Sequence, residues 1–156
     1  MTQRMTNPAM ILPDALTGIQ HLLKAIGKSG VPQSTVELIG LRVSQINGCA
    51  ACLNSHLRQA RKAGETDERL ATVAAWRDTP FFTDAERSAL SLAEAVTRLA
   101  DRSGEAVPDD PWEEATKHYD EQQLAAVVLA IGTVNLFNRV NVTVKEPADR
   151  PSWEAA

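Results

Sequence analysis

Cys49, Cys52 and His56 fall in the run Gly48-Cys-Ala-Ala-Cys-Leu-Asn-Ser-His56, and they include the only two cysteines of the 156-residue chain. Two thiols three positions apart can close a disulfide within one helical turn. A histidine four residues after the second thiol is its neighbour on a helix face, with Cβ atoms about 6 Å apart, close enough to take its proton directly or through a water. On a continuous helix all three side chains fall within an arc of about 60°. Cys49 and His56 stand about 10.5 Å apart along the axis, out of direct contact. If His56 is the base, Cys52 is therefore the thiol it activates. Cys49 becomes the resolving thiol, near the helix start where an outside partner reaches it more easily. A thiolate near a helix amino terminus is also stabilised by unpaired N–H groups and the dipole. Lowering a thiol pKa from about 8.5 to about 6.5 raises its ionised fraction at pH 7 from roughly 3% to roughly 75%. Peroxide would oxidise such a thiolate to a sulfenic acid, and the other thiol would condense with it to a disulfide.

Other readings of the same residues exist. The cysteines could be two small buried hydrophobes. The triplet could also supply three zinc ligands, with a fourth from Glu37, His21 or His118, although the sequence has no second CxxC and no HxxxH. A thioredoxin-like reading needs strands around the motif, and none are visible. His21 beside Leu22-Leu23 reads as a structural or surface residue, and His118 among Lys117, Tyr119 and Asp120 as a solvated one.

Positioning falls to helices. Residues 1–12 read as an extended arm, 13–144 as a helical domain and 145–156 as a tail carrying Pro147, Pro151 and Trp153. Pro13-Asp14 opens a first helix to Ser29, with Leu16, Ile19, Leu22, Leu23 and Ile26 at helical spacing. A second runs from Ser34 to Ile46 and stops at Asn47-Gly48. The third starts at the cysteine motif and ends at Gly64, and Thr66 caps a fourth to Arg77. Thr83 and Glu86 have capping-box spacing for a fifth helix to Ser103, and Asp110-Pro111 with Glu113 repeats that logic for a short sixth. Asp120 caps a seventh, Glu121 to Val144. The expected fold is an all-α bundle of about seven helices in one domain, with the CxxC opening the third.

The second helix is nearly all apolar, with Glu37 and Arg42 its only charges. Glu37 reads either as a first-turn acid favoured by the helix dipole or as a site residue. The last helix is apolar on almost every face from Leu124 to Val134, so it must be covered on all sides and points to subunit contacts. Gly132 permits a close approach there, and Asn138, Arg139 and Asn141 read as residues that cap or cross-link the interface or as ordinary solvent-facing polar residues.

Apolar residues make up 44% and charged residues 23% of the chain, and the net charge is −4. A mildly acidic chain is a poor polyanion binder, which argues against nucleic acid. The run from Leu124 to Asn138 is too short for a comfortable membrane span and holds Thr133 and Asn135, so a core helix is expected. No basic-then-apolar leader opens the sequence, and a cytoplasmic setting is expected, where a cysteine pair favours a redox or metal role.

Glu37, eleven residues, Cys49-x2-Cys52, three residues and His56 resemble the E-x11-C-x2-C-x3-H signature of the alkylhydroperoxidase D family, within the carboxymuconolactone decarboxylase-like superfamily. The resemblance is most specific over Val36–Gly64, and the final helix ending Asn135-Leu-Phe-Asn-Arg-Val-Asn141 is also similar to that family's last helix. It implies a helical fold, peroxidase activity and a homo-oligomer, commonly a trimer or hexamer. It implies a Glu37–His56 proton relay, Cys52 as the peroxide-reactive thiol and Cys49 as its partner. No haem, flavin or metal cofactor is implied. An external dithiol, a lipoyl-bearing or thioredoxin-type protein, would be the reductant. One position departs: the best-known peroxidases have a histidine just before the second cysteine, where this chain has Ala51. A redox switch using the same disulfide is the alternative outside enzyme chemistry.

Overall fold

The computed structural model describes residues 2–101 and 103–154. Among the described residues eight α-helices follow one another: α1 Pro8–Ile11, α2 Pro13–Gly27, α3 Gln33–Asn47, α4 Ala50–Lys62, α5 Asp67–Thr72, α6 Asp84–Thr97, α7 Asp109–Thr116 and α8 Glu121–Val144. Short 3₁₀ turns cover Val73–Asp78, Leu99–Asp101 and Ser152–Glu154. No strand occurs among the described residues.

The expected bundle is present, with one helix more than the sequence pattern suggests. The additional element, α1, lies inside the stretch expected to be an extended arm. Pro8 sits where a helix's first N–H would go unused, and Asn7 Oδ1 accepts from Ala9 N at 3.1 Å. The cysteine motif therefore opens the fourth helix, not the third. The fourth predicted helix breaks after Thr72 into a 3₁₀ turn kinked at Ala75. The helix expected to reach Ser103 ends at Thr97. For α7 the cap is Pro108 in place of Asp110, with no side-chain bond. The capping boxes of Thr83–Glu86 and Asp120–Gln123 both form.

α3 is the centre of the molecule, packed against α4, α6 and α8. One face carries Ile39 and Val43 into a core with Leu92 and Ala93 of α6 and Val127 and Ile131 of α8. The opposite face carries Leu38 and Leu41 into a second core with Ala60, Val73, Trp76 and Leu90. Each large side chain buried this fully contributes about 1.5–3 kcal/mol. A helix so enclosed can hold polar groups only if each finds a partner. Arg42 does so by donating through Nε to Glu94 Oε1 at 2.6 Å, and Trp76 Nε1 and Arg77 reach the same carboxylate at 3.1 and 2.7 Å. Burial opposes ionisation of Glu94, but the bonds from Arg77, Trp76 and Arg42 outweigh it and hold the carboxyl down at about 2.

α8 is long and apolar enough to cross a membrane by composition. In this fold it is the core helix facing α2, α3, α4, α6 and α7. Val128, Leu129, Leu136 and Val142 of this helix remain exposed.

Candidate active site

α3 and α4 form an antiparallel hairpin joined by two residues. Gly48 ends α3 in the left-handed conformation, φ 69°, and Cys49 N then donates back to Ser44 O at 3.1 Å. Glycine takes that backbone geometry without a Cβ penalty. Counting outward from Gly48, Glu37 lies about 16 Å down one helix and His56 about 12 Å down the other. Side-chain length closes the difference. The spacing of the sequence motif is thus what an antiparallel hairpin needs to bring a carboxylate against an imidazole.

They meet: His56 Nδ1 and Glu37 Oε2 are 2.7 Å apart. Glu37 is 5% exposed, and because α3 already starts at Gln33 it stands beyond the first turn; it is a buried partner of His56 and not a first-turn dipole charge. Its other oxygen, Oε1, accepts from Gln33 Nε2 at 2.5 Å, one turn earlier on α3. With Nδ1 committed to Glu37, Nε2 is the nitrogen available to a thiol or substrate proton. Gly40 makes this seating possible, because a Cβ there would overlap Cε1, Nδ1 and Nε2 of the His56 ring.

Cys49 and Cys52 are joined in a disulfide, with Cα atoms 5.3 Å apart. Cys49 has extended backbone and acts as the N-cap of α4, its Sγ accepting from Cys52 N at 3.3 Å. It is 1% exposed, so the expected easy access to Cys49 is not what the oxidised form presents. Of the two cysteines it is Cys52 that lines a cavity of about 1020 Å³, together with Glu37 and His56. Apolar side chains of α2 (Leu16, Ile19, Leu23) and of α8 (Phe137, Val140) form much of the remaining wall. An aliphatic cavity of this kind lowers the local dielectric around the polar trio, and low dielectric strengthens interactions between charges.

Cys52 Sγ also accepts from Asn141 Nδ2 at 3.3 Å. Asn141 and Asn138 are buried inside the protomer, so they are neither interface cross-links nor solvent-facing polar residues. Asn138 bonds Ser44 and Asn47 of α3. Arg139 is exposed and donates to Asn135 on its own helix. Ala51 is 2% exposed and packed, so no imidazole stands before Cys52. His21 is exposed on α2, and His118 pairs with Glu114 at 3.3 Å. Among the described residues no three His, Cys, Asp or Glu side chains gather in a metal-binding group.

Gly40, Gln33 and Asn141 are the members of this site that the sequence pattern does not single out as such. A glycine three residues past Glu37, in an otherwise apolar helix, is a readable signal, as is Gln33 one turn before. Asn141 has none, because its partner is 89 positions away.

A helical hairpin holding a CxxC pair beside a carboxylate–imidazole couple defines an AhpD-like dithiol protein. The chain belongs to the carboxymuconolactone decarboxylase family, whose model matches residues 13–95. It is 36% identical to the uncharacterized protein YdfG of Bacillus subtilis over 134 residues, 86% of this chain and 89% of that one. Against the alkyl hydroperoxide reductase AhpD of Bradyrhizobium diazoefficiens it is 44% identical over 51 residues, 33% of this chain and 28% of that one. Among solved structures it resembles a protein of unknown function from Agrobacterium tumefaciens whose suggested role is antioxidant defence as AhpD, with TM-score 0.84 and 31% identity over 94% of this chain and 97% of that chain. The debrominase Bmp8 shares the fold at TM-score 0.72 and 20% identity over 86% of this chain and 71% of that one.

Proposed function

We propose that this protein is a cysteine-based peroxidase that reduces hydrogen peroxide or an organic hydroperoxide. The observation that carries the reading is that Cys52 lines the cavity one helical turn from His56, whose Nδ1 is pinned by buried Glu37. The partial match to AhpD, over 51 residues, supports it.

In the reduced form His56 takes the Cys52 proton. The thiolate attacks the peroxide: an S–O bond forms, the O–O bond breaks, sulfur loses two electrons and the alkoxide leaves as alcohol with the proton held by His56. The Cys49 thiol then displaces water from the sulfenic acid and closes the disulfide. An external dithiol, lipoyl-bearing or thioredoxin-type, attacks the sulfur and restores both thiols by exchange. Since Cys49 is enclosed and Cys52 faces the cavity, Cys52 is where that dithiol would attack. No haem, flavin or metal enters the cycle. The reading places the protein in the cytoplasm, as a homo-oligomer of trimeric or hexameric order.

A steady-state hydroperoxide assay with several dithiol donors tests this. Turnover by the parent and none by Cys52→Ser is expected. Full turnover by Cys52→Ser would overturn the assignment. Ala51, at the position where related peroxidases carry a histidine, favours a redox switch as second reading. A switch would consume about one peroxide per chain and stop.

A further inference from the structure

The helix-start donor favours the wrong sulfur for the nucleophile assigned above. The N–H of Cys52 points to Cys49 Sγ. Cys52 Sγ has its donor from another helix, the side-chain amide of Asn141. The orientation of that amide is fixed by a chain of bonds. Asn7 Oδ1 accepts from Ala9 N, so Asn7 Nδ2 is the donor toward α8. Asn7 Nδ2 donates to Asn141 Oδ1 at 2.7 Å and to Glu146 Oε2 at 3.2 Å. With its oxygen taken, Asn141 has only N–H groups left to face the sulfur.

Glu146 is held in turn. Its Oε1 accepts from Ser152 N at 2.5 Å and from Ser152 Oγ at 2.6 Å, and its Oε2 from Gln3 Nε2 at 3.5 Å. Lys145, at φ 56°, turns the chain back so that Glu146 N reaches Asn141 O at 2.9 Å. Asn7, Asn141 and Glu146 are each under a tenth exposed. Burying three polar side chains from arm, helix and tail is costly unless each is bonded. A disulfide sulfur is a weak acceptor for the last donor of this chain. A thiolate at the same atom would make the bond charge-assisted, roughly doubling its strength.

We propose that Asn141 is a catalytic residue that stabilises the Cys52 thiolate through an N–H···S hydrogen bond, with Asn7 its positioning residue and Glu146 anchoring Asn7 from the tail. This rests on the reading of Cys52 as the nucleophile. The amide makes the anion the better-bonded state of the sulfur, and the arm and tail become working parts of the site.

The test is the pH dependence of Cys52 alkylation by iodoacetamide in a Cys49→Ser background, which leaves one thiol. The ionisable groups around that thiol are His56 one turn on, Glu37 behind it and Glu146 behind Asn7. Asn141→Ala is expected to raise the thiol's apparent pKa by about one unit, cutting alkylation below that pKa about tenfold. Asn141→Asp should raise it further, since a carboxylate repels the thiolate. Asn7→Ala should raise it by less. Circular dichroism and melting show whether each variant is folded. Curves for Asn141→Ala and Asn141→Asp that superimpose on the background would overturn the proposal. If neither folds, Asn7→Ala decides by the same criterion, an unmoved curve counting against it. A background thiol already at its ordinary value near 8.5 would defeat the nucleophile reading separately, because the variants are compared with that background.

Discussion

The imidazole of His56 rests directly against the backbone of Gly40, filling the space where any other residue would place its Cβ. That contact brings α3 and α4 close enough for His56 Nδ1 to meet Glu37. It also opposes two effects that a helical glycine-to-alanine change normally combines. Alanine is the better helix former by about 1 kcal/mol. Here its methyl group would push the ring off its carboxylate. Gly40→Ala is therefore expected to stay folded yet lose about 10²-fold in peroxide turnover, the scale of an ångström-sized misplacement of a catalytic group. Gly18→Ala, on α2 with open space where its Cβ would go, should stabilise by up to about 1 kcal/mol and leave turnover unchanged. Thermal melts and turnover measured together on the two variants check both halves.

Glu37 has both oxygens occupied, one by His56 and one by Gln33. Glu37→Gln keeps the shape and removes the charge that balances a protonated imidazole. Turnover should fall by roughly 10²–10³-fold, as for loss of a general base, and His56→Ala should fall as far. Gln33→Ala leaves the charge but frees one oxygen, so its loss should be smaller than that of Glu37→Gln. Initial rates at saturating dithiol separate the three.

Much of this was readable in the chain. The Thr83 and Asp120 caps, the apolar face of α2 and the Gly48 stop are local signals, and they recur in the structure within a few residues. The Glu37–His56 pairing was readable through the family motif, because a fixed spacing across a short hairpin is one-dimensional information. Two kinds of feature were not. The α1 turn depends on Asn7 turning its side chain back to cap two residues on, a short local event without hydrophobic periodicity to announce it. The Asn7–Asn141–Glu146 chain joins residues 134 and 139 positions apart from Asn7, and nothing in local composition marks them. Asn141 shows the consequence: a polar residue late in an apolar helix looks like a surface group until the fold places a sulfur beside it.

α8 presents Leu129 at 45% and Leu136 at 49% exposed, and Leu23 of α2 is 46% exposed, Leu23 and Leu136 at the cavity. Leu129 and Leu136, seven residues apart, share a face of the helix, and an exposed apolar helix face marks a contact surface. A homo-oligomer is expected at micromolar concentration, with a scattering mass a multiple of the protomer's. Leu129 does not line the active-site cavity, so Leu129→Glu should shift the mass toward the protomer without touching the sulfur chemistry directly. Light scattering that gives the protomer mass for the unaltered protein would contradict this.

Glu94 links the stability of the bundle to pH. Its carboxyl is held at about 2 against an ordinary 4.5 because the bonds from Arg77, Trp76 and Arg42 exceed the opposing effect of burial. In the unfolded chain it protonates first as pH falls, so between those two values the unfolded state binds more protons and stability drops. The contribution is complete above about 4.5 and is lost progressively toward about 2, and the separation of the two values corresponds to about 3 kcal/mol. Glu94→Gln should therefore destabilise the fold near neutrality by less than that full figure, because Arg77 and Arg98 on the same carboxylate are solvent-exposed and screened while Arg42 loses its ionic partner inside the fold. The same variant should melt with a flatter pH dependence between 2 and 4.5, converging on the parent at the acid end. At the alkaline end, burial with the charge of Glu86 pushes Tyr119 up to about 12 from an ordinary 10, so its neutral phenol, donating to Ala85 O at 2.8 Å, supports the fold below pH 10 and ceases to as pH rises toward 12. Denaturant titrations of the parent and Glu94→Gln across pH 2.5–7 would measure the acid limb. Parallel curves, with a constant offset at every pH, would show that the carboxylate packs in the cluster without the charge linkage argued for it.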